Sequence, residues 1–268
     1  MPQLKVLEDT VFKQSPVQSA LLPENEKVSV KAGTAFTLHS FMPGQGNHVR
    51  VALSDTQLKG RNTWVAFRKH VEIVQDDGTK SVGPYKLGDK LPDEVNIAVP
   101  WFSQRDNVYR PFGTCNVTCV AMAAYFYGRR PSRPNIQLED EMFKLVEARG
   151  WDRHVHVHLA RVFREYKIQD TFKDNATWEE VKVHLANGNP VIYSGQLTGS
   201  GHIILLRGYS DSKKGFWVND PYGEYFSWGY KDKSGENLLY SYNLLRSKSM
   251  MGRDQPWAHF PSLTKVGG

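Results

Sequence analysis

Apolar and polar positions change rhythm along the chain. Through the first 75 residues they alternate in short runs, Thr10-Val11-Phe12-Lys13, Lys27-Val28-Ser29-Val30, Ala35-Phe36-Thr37-Leu38-His39, His48-Val49-Arg50-Val51-Ala52-Leu53 and Trp64-Val65-Ala66-Phe67. A period of two sends successive side chains to opposite faces of a strand, and Pro, Gly and Asn punctuate the runs. Short strands at close spacing predict a small β-barrel over residues 1–75. Residues 76–97 turn polar and turn-prone, with Asp76-Asp77-Gly78 and Leu91-Pro92-Asp93, and predict a linker holding a short hairpin near 85–91.

A second domain is expected over residues 98–268, where the rhythm becomes helical. Apolar residues run almost without interruption from Cys115 to Tyr127 and stop at Gly128, which predicts a buried helix with a glycine C-cap. Pro131 and Pro134 rule out a helix between them. Residues 136–149 predict an amphipathic helix with Met142, Leu145 and Val146 inward, and residues 158–166 a third with Leu159, Val162 and Phe163 at helical spacing. Thr177-Trp178-Glu179-Glu180 reads as a capping box opening a fourth helix through Leu185. The β runs 190–195, 201–209 and 215–220 come next, with an edge strand expected at 225–228. Helices first and antiparallel strands after them predict an α+β fold, with helices packed on a sheet.

Composition narrows the function classes. With 268 residues, 40% hydrophobic and 12% aromatic, the chain supports two cores and is globular throughout. The formal charge of +6 is spread along the chain and accompanies no nucleic-acid module, so a nucleic-acid partner is not expected; an anionic surface such as a bacterial cell wall suits it. No run of about 18 apolar residues occurs, which predicts no membrane span. Acidic residues stand in Met1-Pro2-Gln3-Leu4-Lys5-Val6-Leu7-Glu8-Asp9 where a signal peptide needs an apolar core, so a cytoplasmic product is expected, with later release to the wall left open. Two cysteines four residues apart make no disulfide framework.

Cys115 opens the first predicted helix. A thiol on a first helical turn faces unpaired backbone N–H groups, which favour the thiolate. His202 begins one predicted strand and Asp220 ends the next, so adjacent antiparallel strands bring imidazole and carboxylate side by side. That arrangement suits nucleophilic catalysis: the imidazole takes the thiol proton and returns it to a leaving amine, while the carboxylate fixes the imidazole tautomer. Gln104 is a fourth candidate, an amide upstream of the nucleophile that joins the Cys115 N–H in stabilising an oxyanion. Taken singly, each has a plainer reading, with Cys115 as a small core residue, His202 as an ordinary strand start and Asp220 as part of a turn. Cys119 lies one turn on, towards the apolar side, and reads as core, with a redox partnership to Cys115 as its alternative. The run His154-Val155-His156-Val157-His158 invites a metal reading, but it enters a helix, where residues two apart do not share a face; no metal or cofactor is expected.

Four segments carry a family likeness. Val99-Pro100-Trp101-Phe102-Ser103-Gln104-Arg105-Asp106-Asn107, Thr114-Cys115-Asn116-Val117-Thr118-Cys119-Val120-Ala121-Met122, Gly201-His202-Ile203-Ile204-Leu205-Leu206-Arg207-Gly208-Tyr209 and Asn219-Asp220-Pro221-Tyr222-Gly223 resemble papain-like cysteine peptidases of the bacteriocin-leader-processing, double-glycine type. The resemblance is closer to soluble members without a transporter. It implies a papain-like domain with Cys115 as nucleophile, His202 as base and acid, Asp220 as orienting carboxylate and Gln104 in the oxyanion hole, acting on peptide or amide bonds through a thioester. Tyr109-Arg110-Pro111-Phe112 lengthens the gap between Gln104 and Cys115 beyond the papain-type spacing. In the first domain, the 27–38 hairpin, the loop Pro43-Gly44-Gln45-Gly46 and Gly60-Arg61-Asn62-Thr63-Trp64-Val65-Ala66 resemble a bacterial Src-homology-3-like barrel. That pairing of modules implies a peptidoglycan peptide as substrate. The alternatives are an acyltransferase or transpeptidase of the same fold, and a catalytically silent wall- or protein-binding module.

Overall fold

The computed structural model describes residues 1–44, 47–231 and 234–263. Two compact units divide the chain, Met1–Asp89 and Lys90–Gly268. In the first, β1 (Gln3–Val6), β2 (Thr10–Lys13), β3 (Lys27–Val30), β4 (Ala35–Pro43), β5 (His48–Leu53), β6 (Thr63–Phe67), β7 (Val71–Val74) and β8 (Lys80–Val82) form one antiparallel sheet in the order β3-β2-β6-β5-β4-β1-β7-β8. Strand β4 bends the sheet: its first half pairs with β1 and its second half with β5, with a register break between Leu38 and Ser40. Leu4, Phe12, Leu38, Val51, Trp64 and Ile73 fill a single core. Each such burial contributes about 1.5–3 kcal/mol.

The predicted barrel does not close. Strands β3 and β8 stand at opposite ends of the pairing path, and no ladder joins them among the described residues. Alternation identifies strands but not which edges meet, and β1, outside the predicted set, takes a central place between β4 and β7. Gln45 and Gly46 of the glycine-bearing loop lie outside the described residues. No hairpin forms near 85–91; Lys80–Val82 of the expected linker instead adds β8 to the first unit.

The second unit begins with β9 (Glu94–Asn96), then α1 (Cys115–Phe126), α2 (Leu138–Ala148), α3 (His156–Glu165), β10 (Ile168–Gln169), β11 (Phe172–Lys173) and α4 (Trp178–Ala186). It continues with β12 (Val191–Gly195), β13 (His202–Ser210), β14 (Gly215–Asn219), β15 (Glu224–Phe226), β16 (Gly229–Lys231), β17 (Leu238–Ser241), α5 (Tyr242–Ser247), β18 (Trp257–His259) and β19 (Ser262–Leu263). The main sheet runs β11-β18-β12-β13-β14-β17, all antiparallel, and β9 pairs with the second half of β13. That mixture of helices and antiparallel sheet is α+β.

Helix α1 is apolar nearly all round, so it is buried nearly all round. Its alanines 121, 123 and 124 let neighbours approach, and it packs against β13, α2 and α3. Ile192, Ile203 and Leu205 join its core, whereas Tyr193 and Phe216 pack their rings against Trp178 of α4. Alternation along the strands thus covers both faces of the sheet, and all nine residues of β13 are buried. The α4 capping box forms as its sequence dictates, Thr177 accepting from the Glu180 N–H while Glu180 accepts from the Thr177 N–H. At Gly208, beside a bulge in β13, a Cβ would stand 1.9 Å from the Val95 carbonyl oxygen, so only glycine lets β9 dock.

Two expectations change here. The edge strand at 225–228 is instead a separate hairpin, β15 with β16, and the sheet edge belongs to β17. Helix α3 starts at His156, two residues before the predicted start, so two of the three closely spaced histidines are helical.

Candidate active site

A knot of side-chain hydrogen bonds sets the start of α1. Buried Asn107 donates to Thr114 Oγ1 at 2.9 Å and to Thr118 Oγ1 at 3.0 Å, and Thr114 Oγ1 donates to the Arg110 carbonyl at 3.2 Å. These bonds tie the approach loop to the first helical turn, which carries Cys115. Cys115 is half-buried as a residue, and both cysteines are free. Cys119 is fully buried one turn later, its Sγ 3.4 Å from the Ile203 carbonyl it bonds to. Burial and the neighbouring Cys115 charge push its pKa well up, so it stays a thiol and packs as core.

His202 opens β13 and Asp220 comes directly after β14, and the register Leu205↔Asn219 brings the two ends together. His202 Nε2 lies 2.8 Å from Asp220 Oδ1, with both side chains buried. The same imidazole acts on the Cys115 thiol and lowers its pKa. Asp220 accepts three further bonds: from the Tyr222 N–H at 2.9 Å, the Tyr240 hydroxyl at 3.0 Å and the Tyr230 hydroxyl at 3.2 Å. A fully buried carboxylate is costly unless paired and hydrogen-bonded, and these donors supply both conditions.

This arrangement sets the charges. Burial works against a proton on His202, but Asp220 and the adjoining sulfur outweigh it and push the imidazole up to about 10. Burial likewise opposes a Cys115 thiolate, but the hydrogen bond and charge of His202, with help from the Ile203 N–H, hold its pKa below the ordinary thiol value. His202 therefore carries its proton at neutral pH, and its charge favours the Cys115 thiolate. Burial, with Asp220 adding to it, pushes Tyr230 and Tyr240 far up, so both remain neutral donors.

Gln104 lies in a short 3-10 turn, Gln104–Asp106, capped by Ser103 Oγ. The turn is clamped onto the Asp220 loop: Gln104 N–H donates to the Pro221 carbonyl at 2.8 Å, Arg105 Nε to the Tyr222 carbonyl at 2.7 Å and Trp101 Nε1 to the Asp220 carbonyl at 2.8 Å. The Gln104 side chain is buried and its amide donates to the Pro111 carbonyl at 3.0 Å, so it touches the loop leading to Cys115. A cleft of about 470 Å³ opens beside this clamp, lined by Trp101, Ser103, Arg105, Asp106 and Tyr222.

The closely spaced histidines diverge. His154 pairs with Asp152 at 2.9 Å, His156 meets His259 at 3.0 Å, and His158 accepts from the Asp152 N–H at 2.9 Å. Among the described residues no group of three or more His, Cys, Asp or Glu side chains is arranged to hold a metal ion. Nor is any helix among them long and apolar enough to cross a membrane.

Residues 96–250, well over half the chain, match the family model described as the Peptidase_C39 like family. The chain belongs to that family. The matched span contains Gln104, Cys115, His202 and Asp220. Among solved structures, the crystal structure of Xylellain, a cysteine protease from Xylella fastidiosa, is similar over 65% of this chain and 87% of that one, at 11% identity and a TM-score of 0.38. No curated protein matches the chain.

In this Peptidase_C39-like chain the support around Asp220 escapes a reading by motif. Tyr230 and Tyr240 lie in short strands, where aromatic residues ordinarily signal packing. The one signal in the sequence is their place in a polar, glycine-bearing segment, in which a buried hydroxyl needs an acceptor. Gly235 is a further such residue: its carbonyl accepts the Asp220 N–H at 2.8 Å, and a Cβ there would stand 1.9 Å from the Asp220 carbonyl oxygen.

Proposed function

We propose that the protein hydrolyses peptide or amide bonds with Cys115 as nucleophile, His202 as general base and acid, and Asp220 as the orienting carboxylate. The buried His202–Asp220 pair, whose imidazole lowers the pKa of Cys115 at the start of α1, supports this reading. Thiolate attacks the substrate carbonyl carbon, and the developing oxyanion meets the Cys115 backbone N–H and the Gln104 amide. Collapse of the tetrahedral adduct transfers the imidazolium proton to the departing amine and leaves an acyl-thioester. His202 then takes a proton from water, whose oxygen attacks the thioester and releases acid and free thiol.

The proposed fold of the second unit is papain-like, related to soluble members of the leader-processing peptidases. The proposed substrate is a bacterial cell-wall peptide, with the first unit a Src-homology-3-like accessory module; the spread positive charge supports an anionic wall as the target surface. Digestion of purified peptidoglycan and of a mixed peptide library by wild type and Cys115→Ala, read by mass spectrometry, tests the proposal. New amine and carboxylate ends from the wild type alone are expected. Identical product profiles would sink it, and diversion of product by added amines would move the assignment to acyl transfer.

A further inference from the structure

The hairpin of β15 and β16 stands apart from the main sheet and carries aromatic residues on both of its faces. Its ladder pairs are Glu224↔Lys231, Tyr225↔Tyr230 and Phe226↔Gly229, with Ser227 and Trp228 in the turn. Residues directly opposite in an antiparallel pair share a face, and successive residues take opposite faces. The Tyr225–Tyr230 pair, its rings 5.3 Å apart, therefore looks one way. On that side the Tyr230 ring meets His202 at 5.5 Å and Tyr222 at 5.1 Å between centroids, and its hydroxyl donates to Asp220 at 3.2 Å.

Phe226 and Lys231 look the other way. Phe226 stacks on Trp228 with ring centroids 5.1 Å apart and planes 9° from parallel, and Lys231 Nζ lies 5.0 Å from the first ring and 5.5 Å from the second. Trp228 is 66% exposed, so packing within the fold makes little use of its indole. It stands two residues before Tyr230, which keeps the two Cα atoms within about 7 Å. One short hairpin thus holds the orienting carboxylate on its inner face and offers a pair of flat rings on its outer one.

The shape and charge of the outer face select a ligand. The nearby cleft is lined by Tyr222 and Gly223, which lead directly into the hairpin, but not by Phe226 or Trp228, so the rings form a plane rather than a pocket. A peptide side chain gains most when it is enclosed on several sides. A pyranose ring gains from one side: its C–H face covers the indole, while its hydroxyl and acyl oxygens stay in water or accept from the Lys231 ammonium.

We propose that Phe226, Trp228 and Lys231 form a saccharide-stacking platform beside the His202–Asp220 pair, which takes the N-acylated amino sugar to which a substrate peptide is joined. This deepens the cell-wall reading and rests on it for the linkage of sugar to peptide.

The test is calorimetric titration of the full chain carrying Cys115→Ala, alone and combined with Trp228→Ala or Trp228→Tyr. Trp228 is exposed, and circular dichroism checks that each variant is folded. Three ligands are compared: the disaccharide-peptide released from peptidoglycan by a muramidase, the same peptide freed of sugar, and a tetramer of N-acetylglucosamine. The disaccharide-peptide is expected to bind about five- to thirtyfold more tightly than the sugar-free peptide, an advantage that Trp228→Ala cuts to within about twofold and Trp228→Tyr, which keeps a ring, retains in part. Equal binding of the two peptides, or an advantage that survives Trp228→Ala, overturns the proposal. So does an equal loss of both in Trp228→Ala, which would assign the rings to the peptide itself. Failure of both peptides to bind counts against the cell-wall reading instead, and the platform is then judged by the tetramer alone: binding that Trp228→Ala abolishes supports it, and absent or unaffected binding overturns it.

Discussion

Two buried histidine–carboxylate pairs lie in the main sheet region of the second unit, and they do different things. His202 and Asp220 meet at 2.8 Å, and His259 and Asp170 at 2.6 Å, all four side chains nearly inaccessible. The first pair ends on a thiol. The second ends on another imidazole, His156, 3.0 Å from His259 and stacked on Phe172 with ring centroids 4.2 Å apart. Burial, with His259 beside it, pulls His156 down to about 4, so it is neutral at pH 7 where His202 is charged. A histidine held by aspartate is therefore not in itself a reactive arrangement. The third group decides whether the pair separates charge or ties elements together.

The largest effect that would sharpen this contrast comes from His202→Ala. Hydrolysis by the variant is expected to fall at least about a thousandfold in kcat, with the circular dichroism spectrum retained. Retention of even a tenth of the rate would break the contrast between the pairs.

The sequence speaks unevenly about these two places. Cys115, His202 and Asp220 stand at element boundaries, where the change from polar to apolar rhythm is sharp, and that change locates them in the fold. The companions of Asp220 have no such mark, because Tyr230 and Tyr240 reach it through strand pairings between segments that no local pattern relates. The His156–His259–Asp170 series is hidden for the same reason: its members are brought together by β11 pairing with β18. Closure of the first unit fails as an expectation on similar grounds. Spacing marks strands, whereas the meeting of β3 with β8 would need edge pairing at long range, and β1 passes unmarked despite its Leu4 and Val6 alternation.

Acidity offers the next test. Cys115 is held below and His202 raised above their ordinary values, so the proposed mechanism expects a reactive ion pair between the two titrations. The rate of Cys115 alkylation by iodoacetamide is expected to exceed that of free cysteine below pH 8, and kcat/KM to fall as pH rises through about 10, when His202 loses its proton. The sign for stability is the same: a raised imidazole pKa stabilises the fold below its unfolded value, and that contribution is lost as pH rises through the folded one. A peptidase with its optimum above pH 11 would contradict the assignment of charge.

A smaller effect is expected at the other pair. Asp170→Ala removes the carboxylate that His259 bonds to, at a cost of about 1–3 kcal/mol. Thermal unfolding should shift down by roughly 2–10 °C while kcat of the folded protein stays within about twofold. A thousandfold loss of activity with unchanged stability would make the second pair part of the chemistry. The smallest expected change is in Tyr240→Phe, which removes one donor from Asp220 and lowers kcat about three- to tenfold with KM unchanged. A larger loss in the double variant with Tyr230→Phe would show that the hydroxyls share one load.

The spread of the site along the chain has a consequence in time. Cys115 is synthesised about a hundred residues before Asp220, and β17, which carries Tyr240, later still; domains emerge from the ribosome in chain order. The strand that bears His202 is likewise completed by β9, which must wait more than a hundred residues for its partner. A nascent chain stalled before residue 220 carries the sulfur without its base held in place. On the proposed mechanism, reactivity is expected to arrive only with folding of the last strands, after the sulfur itself has long been made.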